Sequence, residues 1–409
     1  MLNRTALFGL LGIAALAAPT SAATIGDVFV IAMENHNFIQ PSTVTTLQQV
    51  YGNPAAPFIN SLVTPGNANA AQTSWARNYF SVGASVHPSE PNYIWSEAGT
   101  NFGITNDNAP YATVGGTNQN TTAHLTALLN ANGTTWKSYQ EGIDLTPGSN
   151  GKPTNTVLPQ NQWISPINNF SGTNTPAGAN PGYINPYNGS SQYDYAVKHN
   201  PMAFFTDTNG GNNTTATNPA AKYYAPLEQL QTDLTNNTES QYNFITPDQF
   251  NDMHTGLAGG FTYNGIHYTG DAAKIAQGDN FLSIIVPKIM ASQAFQNNGA
   301  IVIWNDETEF CDTTNGTCTS MEIVISPLAK GNAYVSYVPM DHSSDLKSFE
   351  ELFGAFLPGG HYLGAANNPG VNDLSSLFVS NALPAPEPTS LALLATGVIG
   401  AGLARRRRA

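Results

Sequence analysis

The run Asp27-Val28-Phe29-Val30-Ile31-Ala32-Met33 is apolar after its first residue and passes directly into Glu34-Asn35-His36-Asn37. A short, β-branched apolar run that ends in polar residues predicts a strand buried on both faces. Runs of the same kind recur at Tyr242 to Thr246, Ala300 to Trp304 and Glu322 to Ser326. Segments with helical patterns separate or follow them, at Ala123 to Leu129, Leu227 to Leu234, Phe281 to Phe295 and Ser344 to Phe353. This alternation predicts an α/β fold in which helices cover both faces of a mostly parallel central sheet.

The body of the chain, residues 24–383, contains no internal repeat and no linker long enough to mark a domain boundary. Stretches near 145–220 are rich in Asn, Thr, Gly and Pro, a composition that favours long surface loops. We therefore expect one domain with a loop-rich insertion at these positions.

Charged residues are scarce, and most of them are acidic. The 409 residues include 14 Lys+Arg and 27 Asp+Glu, for a net charge of −13, and charged residues make up 10% of the chain where about 25% is usual. Five of the cations lie in the terminal segments, which leaves the body with 9 cations and 26 anions. Such a surface repels a phosphate backbone, so nucleic acid is not expected as a main partner, and an anionic substrate would need a metal to receive it.

The first 23 residues have the pattern of a secretory signal peptide. Arg4 is followed by an apolar run from Ala6 to Ala18 and then by small residues at 21–23, which predicts export and removal by signal peptidase. The alternative is a buried first helix.

The C-terminal segment 384–409 has the pattern of a second targeting signal. Pro386-Glu387-Pro388 precedes a short apolar stretch, Leu391 to Ala404, and the basic cluster Arg405 to Arg408. The stretch is short for a stable membrane span, which needs about 17–25 residues, and the arginines are typical of a cytoplasmic flank. The segment resembles the PEP-CTERM sorting signal of Gram-negative bacteria, which implies transient membrane contact, processing by an exosortase-like enzyme, and release to the cell surface, the extracellular matrix or the medium. The alternative is a permanent anchor.

The only two cysteines, Cys311 and Cys318, lie in one loop. In an exported protein a local disulfide between them is expected.

Polar side chains follow two of the predicted strands. Glu34 and Asn35 come directly after the first strand, and Asp306 and Glu307 follow the strand that begins at Ala300. The carboxyl ends of parallel strands meet at one edge of a sheet, where ligands bind. Carboxylate and amide oxygens suit Mg²⁺, Ca²⁺ or Mn²⁺ and do not exclude Zn²⁺, although polar turn residues at such places are also common.

Ser89 lies between two prolines in His87-Pro88-Ser89-Glu90-Pro91-Asn92-Tyr93. Because proline fixes its own backbone and restricts its neighbour, we expect a rigid turn that presents the hydroxyl at a defined position. A serine becomes a strong nucleophile when its alkoxide is stabilised, for example by a metal. G-x-S-x-G is absent and no helix is expected after the serine, which disfavours an α/β-hydrolase.

Two further segments bring histidine toward the predicted strand ends. Asp252 and His254 follow the strand from Tyr242 to Thr246, and His342 precedes the helix from Ser344. These three side chains could ligate a metal or contact a phosphate, or each histidine could simply be a satisfied turn residue. H-E-x-x-H is absent, so a zincin is not indicated.

Seven segments in order resemble the phosphoesterase family of bacterial phospholipases C and secreted acid phosphatases, a branch of the alkaline phosphatase superfamily. They are Val30 to Phe38, His87 to Tyr93, Thr135 to Glu141, Asn251 to His254, Gly278 to Leu282, Ile303 to Thr308, and Asp341-His342-Ser343-Ser344 with the following helix. Together they extend from about residue 27 to residue 357. The resemblance implies a three-layer α/β/α sandwich and metal-dependent hydrolysis of phosphate esters through a phosphoserine.

On this resemblance, the metal ligands would be Glu34, Asn35, Asp306 and Glu307, and Ser89 would touch the metal as nucleophile.

The resemblance also gives roles to the remaining polar residues. Asn92 would donate to a phosphate oxygen, and His87 would help to bind the substrate. Asp252, His254 and His342 would form a second metal site or a histidine-lined phosphate site, with a histidine protonating the leaving group. Two-metal relatives usually separate the Asp and His by four residues, and here they are two apart.

The leading hypothesis is an exported acid-phosphatase-like phosphomonoesterase. A phospholipase C or other phosphodiesterase would use the same residues, and a noncatalytic matrix or surface protein could keep the fold. A sulfatase is disfavoured because its motif requires an arginine where this chain has Tyr93.

Overall fold

The structure is a computed structural model that describes residues 23–384 except 84–85, 111–114, 150, 165–181, 212, 214, 216 and 311–317. The strands are β1 Val28–Met33, β2 Thr73–Ala76, β3 Trp136–Gln140, β4 Leu145–Pro147, β5 Pro153–Val157, β6 Tyr224–Pro226, β7 Tyr242–Thr246, β8 Phe261–Tyr263, β9 Ile266–Tyr268, β10 Ala300–Asn305, β11 Glu322–Ile325 and β12 Tyr334–Ser336. The α-helices are α1 Pro57–Leu62, α2 Ser89–Ala98, α3 Leu125–Asn132, α4 Glu228–Asn236, α5 Gly270–Met290, α6 Gln293–Gln296 and α7 His342–Phe353.

Eight of the strands form one central sheet in the order β12-β2-β11-β10-β1-β7-β3-β6. Within this described sheet β11 alone runs against the others, since it pairs antiparallel with both β10 and β2. The prediction of a mostly parallel sheet is therefore confirmed, and β4–β5 and β8–β9 are separate two-stranded hairpins.

The strand β1 lies inside the sheet and sets the register of its neighbours. Val28 pairs with Ala300 of β10 and with Tyr242 of β7, and both pairings are parallel. The three strands therefore start together and end at the same edge, where Met33 lies beside Asn305. The segments after Met33, Thr246 and Asn305 consequently emerge side by side.

Alternate side chains of β1 enter two separate hydrophobic cores. Phe29, Ile31 and Met33 pack on the side that holds α1, α4, α5 and α6. The alternating residues Val28, Val30 and Ala32 pack on the side that holds α2, α3 and α7. Both faces of the sheet are thus covered, and the predicted three-layer α/β/α sandwich is confirmed.

The helix α5 begins well before the predicted start at Phe281. Its first half contains Gly270 and Gly278 together with two aspartates, residues of poor helix propensity. Burial of Ile275 and Ala276 against the sheet holds this half in place, so packing overrides propensity. A Cβ on Gly278 would lie 2.3 Å from Cγ of Met253, which explains a glycine inside the helix.

The two ends of the described body meet at the start of β1. The backbone N–H of Ile25 donates to the carbonyl of Ala382 over 3.0 Å, and the N–H of Gly26 donates to the carbonyl of Asn298 over 2.9 Å. None of the helices in the described residues is long and apolar enough to cross a membrane. The predicted signal peptide and nearly all of the sorting tail lie outside the described residues.

Candidate active site

Ser89 is the first residue of α2 and lies beside the end of β1. Its hydroxyl donates to Glu34 Oε2 over 3.0 Å, and both residues are buried. The expectation that no helix follows this serine is wrong, because Pro88 is the N-cap of a ten-residue helix. Proline at that position restricts the backbone where the chain enters the helix. Its side chain cannot accept a capping hydrogen bond from the first turn. Ser89 thus lies at a helix N-terminus, where an anion is stabilised.

On its other side, Glu34 forms a cluster with two further buried side chains, His199 and Asp252. Oε1 of Glu34 lies 2.8 Å from Nε2 of His199, and Oδ2 of Asp252 lies 3.5 Å from Nδ1 of the same ring. One ligand atom from each of the three residues lies within 4.8 Å of the other two. Glu34 Oε1 and His199 Nε2 are close but do not have the alignment of a hydrogen bond.

Opposing effects set the charges of this cluster. Burial alone would raise the pKa of Glu34, but the charges of His199 and Lys198 bring that pKa well below its ordinary value. Burial would lower the pKa of His199, but Glu34 outweighs burial and raises it. Burial raises the pKa of Asp252 to about 7. The cluster therefore carries more acidic groups than its histidine can neutralise.

Asn35 and Asp306 connect this cluster to the end of β10. The backbone N–H of Asn35, a residue with a φ of 38°, donates to Asp306 Oδ1 over 3.2 Å. Burial raises the pKa of Asp306, and Glu34 and Glu307 add to the effect. The structure therefore brings Glu34, Asn35 and Asp306 to one place, as the strand ends predicted.

Glu307 lies at the outer side of the site with Asn92 and His87. Its Oε2 accepts from Asn92 Nδ2 over 2.8 Å and lies 2.5 Å from His87 Nδ1. Burial raises the pKa of Glu307 to about 7. The amide group of Asn92 also donates to the carbonyl of Val86 over 2.8 Å. Both amide protons are thus engaged, and the predicted donation to phosphate would require one of these bonds to break.

The donor atoms that this site presents fit a hard divalent cation. Several buried atoms of the described site accept no hydrogen bond, which is rare in proteins. They are Glu34 Oε1, Asn35 Oδ1, Asn92 Oδ1, Asp252 Oδ2 and Asp306 Oδ2. Oxygen atoms of this kind are what Mg²⁺, Ca²⁺ and Mn²⁺ bind, and the His199 nitrogen also suits Zn²⁺ or Mn²⁺.

His254 lies next to the cluster but is neutral under ordinary conditions. Its backbone N–H donates to Asp252 Oδ1 over 2.7 Å, and its Nδ1 lies 3.1 Å from the hydroxyl of Thr255. Burial lowers the pKa of His254 to about 4. The imidazole is therefore uncharged at neutral pH.

His342 is not brought into the cluster. Its Nε2 lies 2.7 Å from the backbone carbonyl of Asp306, and its Nδ1 lies 2.7 Å from the hydroxyl of Tyr79. Tyr79 in turn donates to Asp345. With both ring nitrogens engaged inside the protein, His342 is placed to hold the segment of Asp306 from behind and has no nitrogen left for a metal or a leaving group.

The sequence reasoning missed His199 and Lys198. They belong to a short 3-10 helix, Val197–His199, inside the segment that was expected to be surface loop. Lys198 forms a 3.0 Å ion pair with Asp107, and its pKa is raised to about 12 because Glu34 and Asp107 outweigh burial. Lys198-His199 is the only place in the chain where a lysine adjoins a histidine. This pair is the sequence feature that could have indicated a functional role for the segment.

The predicted disulfide stays a prediction. Cys318 is buried, and Cys311 lies outside the described residues.

Two family models match this chain. The model of the Phosphoesterase family matches residues 27–356, and the PEP-CTERM protein-sorting motif matches residues 384–408.

Curated relatives and solved structures resemble the chain more distantly. An acid phosphatase of Aspergillus fumigatus is 28% identical over 45% of this chain and 31% of its own length. A phosphatidylinositol-3-phosphatase of Mycobacterium tuberculosis is 37% identical over 24% of this chain and 25% of its own length. The matches thus span about a third or less of these relatives. A solved alkaline phosphatase superfamily protein from Vibrio parahaemolyticus has a TM-score of 0.44 and 9% identity, with 89% of this chain and 72% of that chain covered.

Proposed function

The chain belongs to the phosphoesterase family, and from that membership we propose that it is an exported, metal-dependent hydrolase of phosphate esters. The observation that carries the proposal is the buried contact between the Ser89 hydroxyl and Glu34, at a helix N-terminus and beside the Glu34–His199–Asp252 cluster. A buried serine hydroxyl, a helix N-terminus and a group of possible metal-ligand atoms coincide there, which supports a role in phosphoryl transfer.

Glu34, Asn35, Asp306, Asp252 and His199 would hold the cation. When bound, it would neutralise charge on the phosphate oxygens and stabilise the serine alkoxide. The Glu34 carboxylate keeps the Ser89 hydroxyl in one orientation, since the hydroxyl donates to it.

Ser89 would attack in line. A bond forms between Ser89 Oγ and phosphorus as the hydroxyl proton leaves to solvent by way of Glu34 Oε2, its hydrogen-bond acceptor. The ester bond to the leaving oxygen breaks at the same time, and that oxygen takes up a proton from solvent. Neutral His254 would donate a hydrogen bond to it. Water then cleaves the phosphoserine and restores the hydroxyl. Lys198 adds positive charge beside the carboxylates, and His87, which is 32% exposed, would contact the phosphate from the open side.

A phosphomonoesterase of acid-phosphatase type is the preferred form of this function. The similarity to curated phosphatases supports it, whereas no contact in the described site speaks for a diester or a phospholipid. A noncatalytic role is less well supported, because it gives no reason for so many buried, unpaired acceptor oxygens.

We further propose that the PEP-CTERM motif directs export. Signal peptidase would remove the N-terminal signal, and exosortase-like machinery in the membrane of a Gram-negative bacterium would read the motif. The body would then act at the cell surface or beyond it.

Hydrolysis assays on the purified protein test the proposal. Phenyl phosphate and bis(p-nitrophenyl) phosphate should be compared with added Mg²⁺, Ca²⁺, Mn²⁺ or Zn²⁺ and with chelator. We expect chelator-sensitive cleavage of the monoester, with kcat reduced at least about 1000-fold in Ser89→Ala.

The matched control is Ser96→Ala, on the same helix, whose hydroxyl donates to the carbonyl of Tyr93. It should keep most of the activity. Equal rates for wild type and Ser89→Ala would refute the assignment of the nucleophile.

A further inference from the structure

A cavity of about 180 Å³ opens directly beside the candidate active site. It shares two walls with that site, the side chains of Asn35 and His254. A group that occupies it therefore borders the candidate active site.

The remaining walls combine apolar surface with one lysine, one glutamate and His36. Leu47, Met253 and Phe310 supply the apolar part, and Lys274 supplies the cation. Met253 is fully buried, whereas Phe310 is 63% exposed at the rim. An aromatic ring and two aliphatic side chains around a small space suit a flat or branched carbon skeleton.

Two of these apolar residues have strained backbones. Met253 has a φ of 87° and Phe310 a φ of 62°, in the left-handed region that bulky side chains rarely adopt. Such conformations cluster at ligand sites. Both residues are held at the wall of one cavity, which indicates that their side chains serve a binding surface.

Lys274 is the available positive charge. It forms none of the ion pairs within 4.0 Å found among the described residues, whereas Lys137 and Lys198 each have a carboxylate partner. The nearby Asp271 is already occupied, because its Oδ1 lies 3.2 Å from His36 Nε2 and its Oδ2 accepts the backbone N–H of Gln48. In a body with 9 cations against 26 anions, a lysine beside the active site stands out.

Glu309 is the one acidic side chain on the wall of the cavity. Its backbone is fixed on both sides by Asn37, which donates to its carbonyl over 3.0 Å and accepts from its N–H over 2.8 Å. An anionic ligand group would therefore settle at the Lys274 side and avoid Glu309.

We propose that this cavity binds the leaving group of the ester, and that it selects a small leaving group with an apolar body and a second anionic group held by Lys274. The second group is a carboxylate or a second phosphate, which share the chemistry that an ammonium recognises. This inference rests on the proposed function, because the phosphoryl group must lie at Ser89 for its leaving group to reach the cavity. In-line attack by Ser89 places that group on the far side of the phosphorus.

The test compares phenyl phosphate with its 3-carboxy and 4-carboxy derivatives. Wild type should favour at least one carboxylated ester in kcat/KM. Lys274→Met should reduce that preference about tenfold, as for a lost hydrogen bond to a charged group, and Lys274→Arg should restore most of it. Lys288→Met, an exposed lysine on the same helix, should leave the preference as in wild type. The proposal would be overturned if wild type showed no preference for a carboxylated ester over phenyl phosphate. It would also be overturned if Lys274→Met kept the preference of wild type.

A binding measurement separates this inference from the proposed function. The carboxylated and plain esters should be titrated calorimetrically into Ser89→Ala protein with and without Lys274→Met. A preference that depends on Lys274 supports the cavity assignment even if wild type hydrolyses no ester, in which case the proposed function alone falls. Hydrolysis of phenyl phosphate with no dependence of binding on Lys274 rejects the cavity assignment alone.

Discussion

His199 lies between two buried carboxylates that reach it from different strands, Glu34 after β1 and Asp252 after β7. One imidazolium can offset one of these charges, and the carboxylate of Asp306 lies close by. Buried charges that lack partners are costly. A divalent cation held partly by His199 would relieve this excess of negative charge. We therefore expect the His199 ring to contribute to the affinity for the cation as well as to the position of the two carboxylates.

We expect His199→Gln to weaken binding of a divalent cation at least tenfold, roughly the range seen when groups that support a metal site are removed. Calorimetric titration with Mn²⁺ measures this directly. The matched control is His267→Gln, an exposed histidine on β9, which should bind like wild type. If His199→Gln also binds like wild type, the ring is not part of the cation site.

For single residues, the sequence predicts which side chains lie near the site better than it predicts where each side chain points. The proximity of Glu34, Asn35 and Asp306 could be predicted, because parallel strands of equal register end at one edge. The direction of a ring could not be predicted. His342 begins α7 and turns toward Tyr79, whereas His199 enters the site from a three-residue 3-10 helix that leaves no periodic pattern. The functional roles of these residues stay predictions.

Among the elements, α2 and α3 are joined by one buried imidazole. His124, the N-cap of α3, places Nδ1 2.9 Å from Glu97 at the end of α2 and Nε2 2.9 Å from Asp207. Its ring stacks on Phe205 with centroids 3.9 Å apart. Burial alone would lower the pKa of His124, but its two carboxylate partners outweigh burial and raise it. The folded protein therefore binds this proton more tightly than the unfolded chain does.

This linkage predicts a pH-dependent contribution to stability. The contribution is complete below the pKa of the unfolded chain, about 6.5, and is lost as the pH rises through the higher pKa of the folded protein. We expect His124→Gln to lower the free energy of unfolding by about 2–4 kcal/mol at about pH 6, and by progressively less in alkaline buffer. Urea unfolding over this pH range measures the difference. The control is His361→Gln, at an exposed histidine, for which we expect no change of the free energy of unfolding with pH relative to wild type. If the difference between wild type and His124→Gln were the same at every pH, the linkage would be contradicted.

Strong apolar runs predicted their elements to within a residue at β1, β7 and β10. Elements without such runs were missed. The buried strand β3 contains Ser138 and Gln140, whose polar groups are bound by Asn200 and Thr246, so its burial depends on partners distant in sequence. Local patterns do not carry such information.

Over the whole molecule, negative charge concentrates at one edge of the sheet. Four buried carboxylates from Glu34, Asp252, Asp306 and Glu307 converge there, and burial raises the pKa of three of them. Folding brings these groups together, so without a cation they oppose it. A cation that binds only the folded site should therefore act as a stabiliser.

We expect a divalent cation at about 100 times its Kd to raise the free energy of unfolding by about 2–3 kcal/mol. Thermal unfolding with Mg²⁺, Mn²⁺ or Zn²⁺, against KCl of equal ionic strength, measures the effect. Glu34→Gln should remove most of it, because the variant loses a carboxylate that faces both Ser89 and His199. Equal stabilisation by KCl would show that screening, and not a site, is responsible.

The hydrogen bond between Ile25 and Ala382 fixes the end of the described body beside the start of β1. The sorting motif begins at residue 384, so it leaves the body at the amino end of β1, whereas Ser89 and Glu34 lie beyond the carboxyl end of that strand. Six strand residues separate the two ends, a distance of about 20 Å. The point where the tail begins and the candidate active site therefore lie at opposite ends of this strand. A copy held by its tail would thus keep the candidate site at the end of β1 that lies away from the attachment.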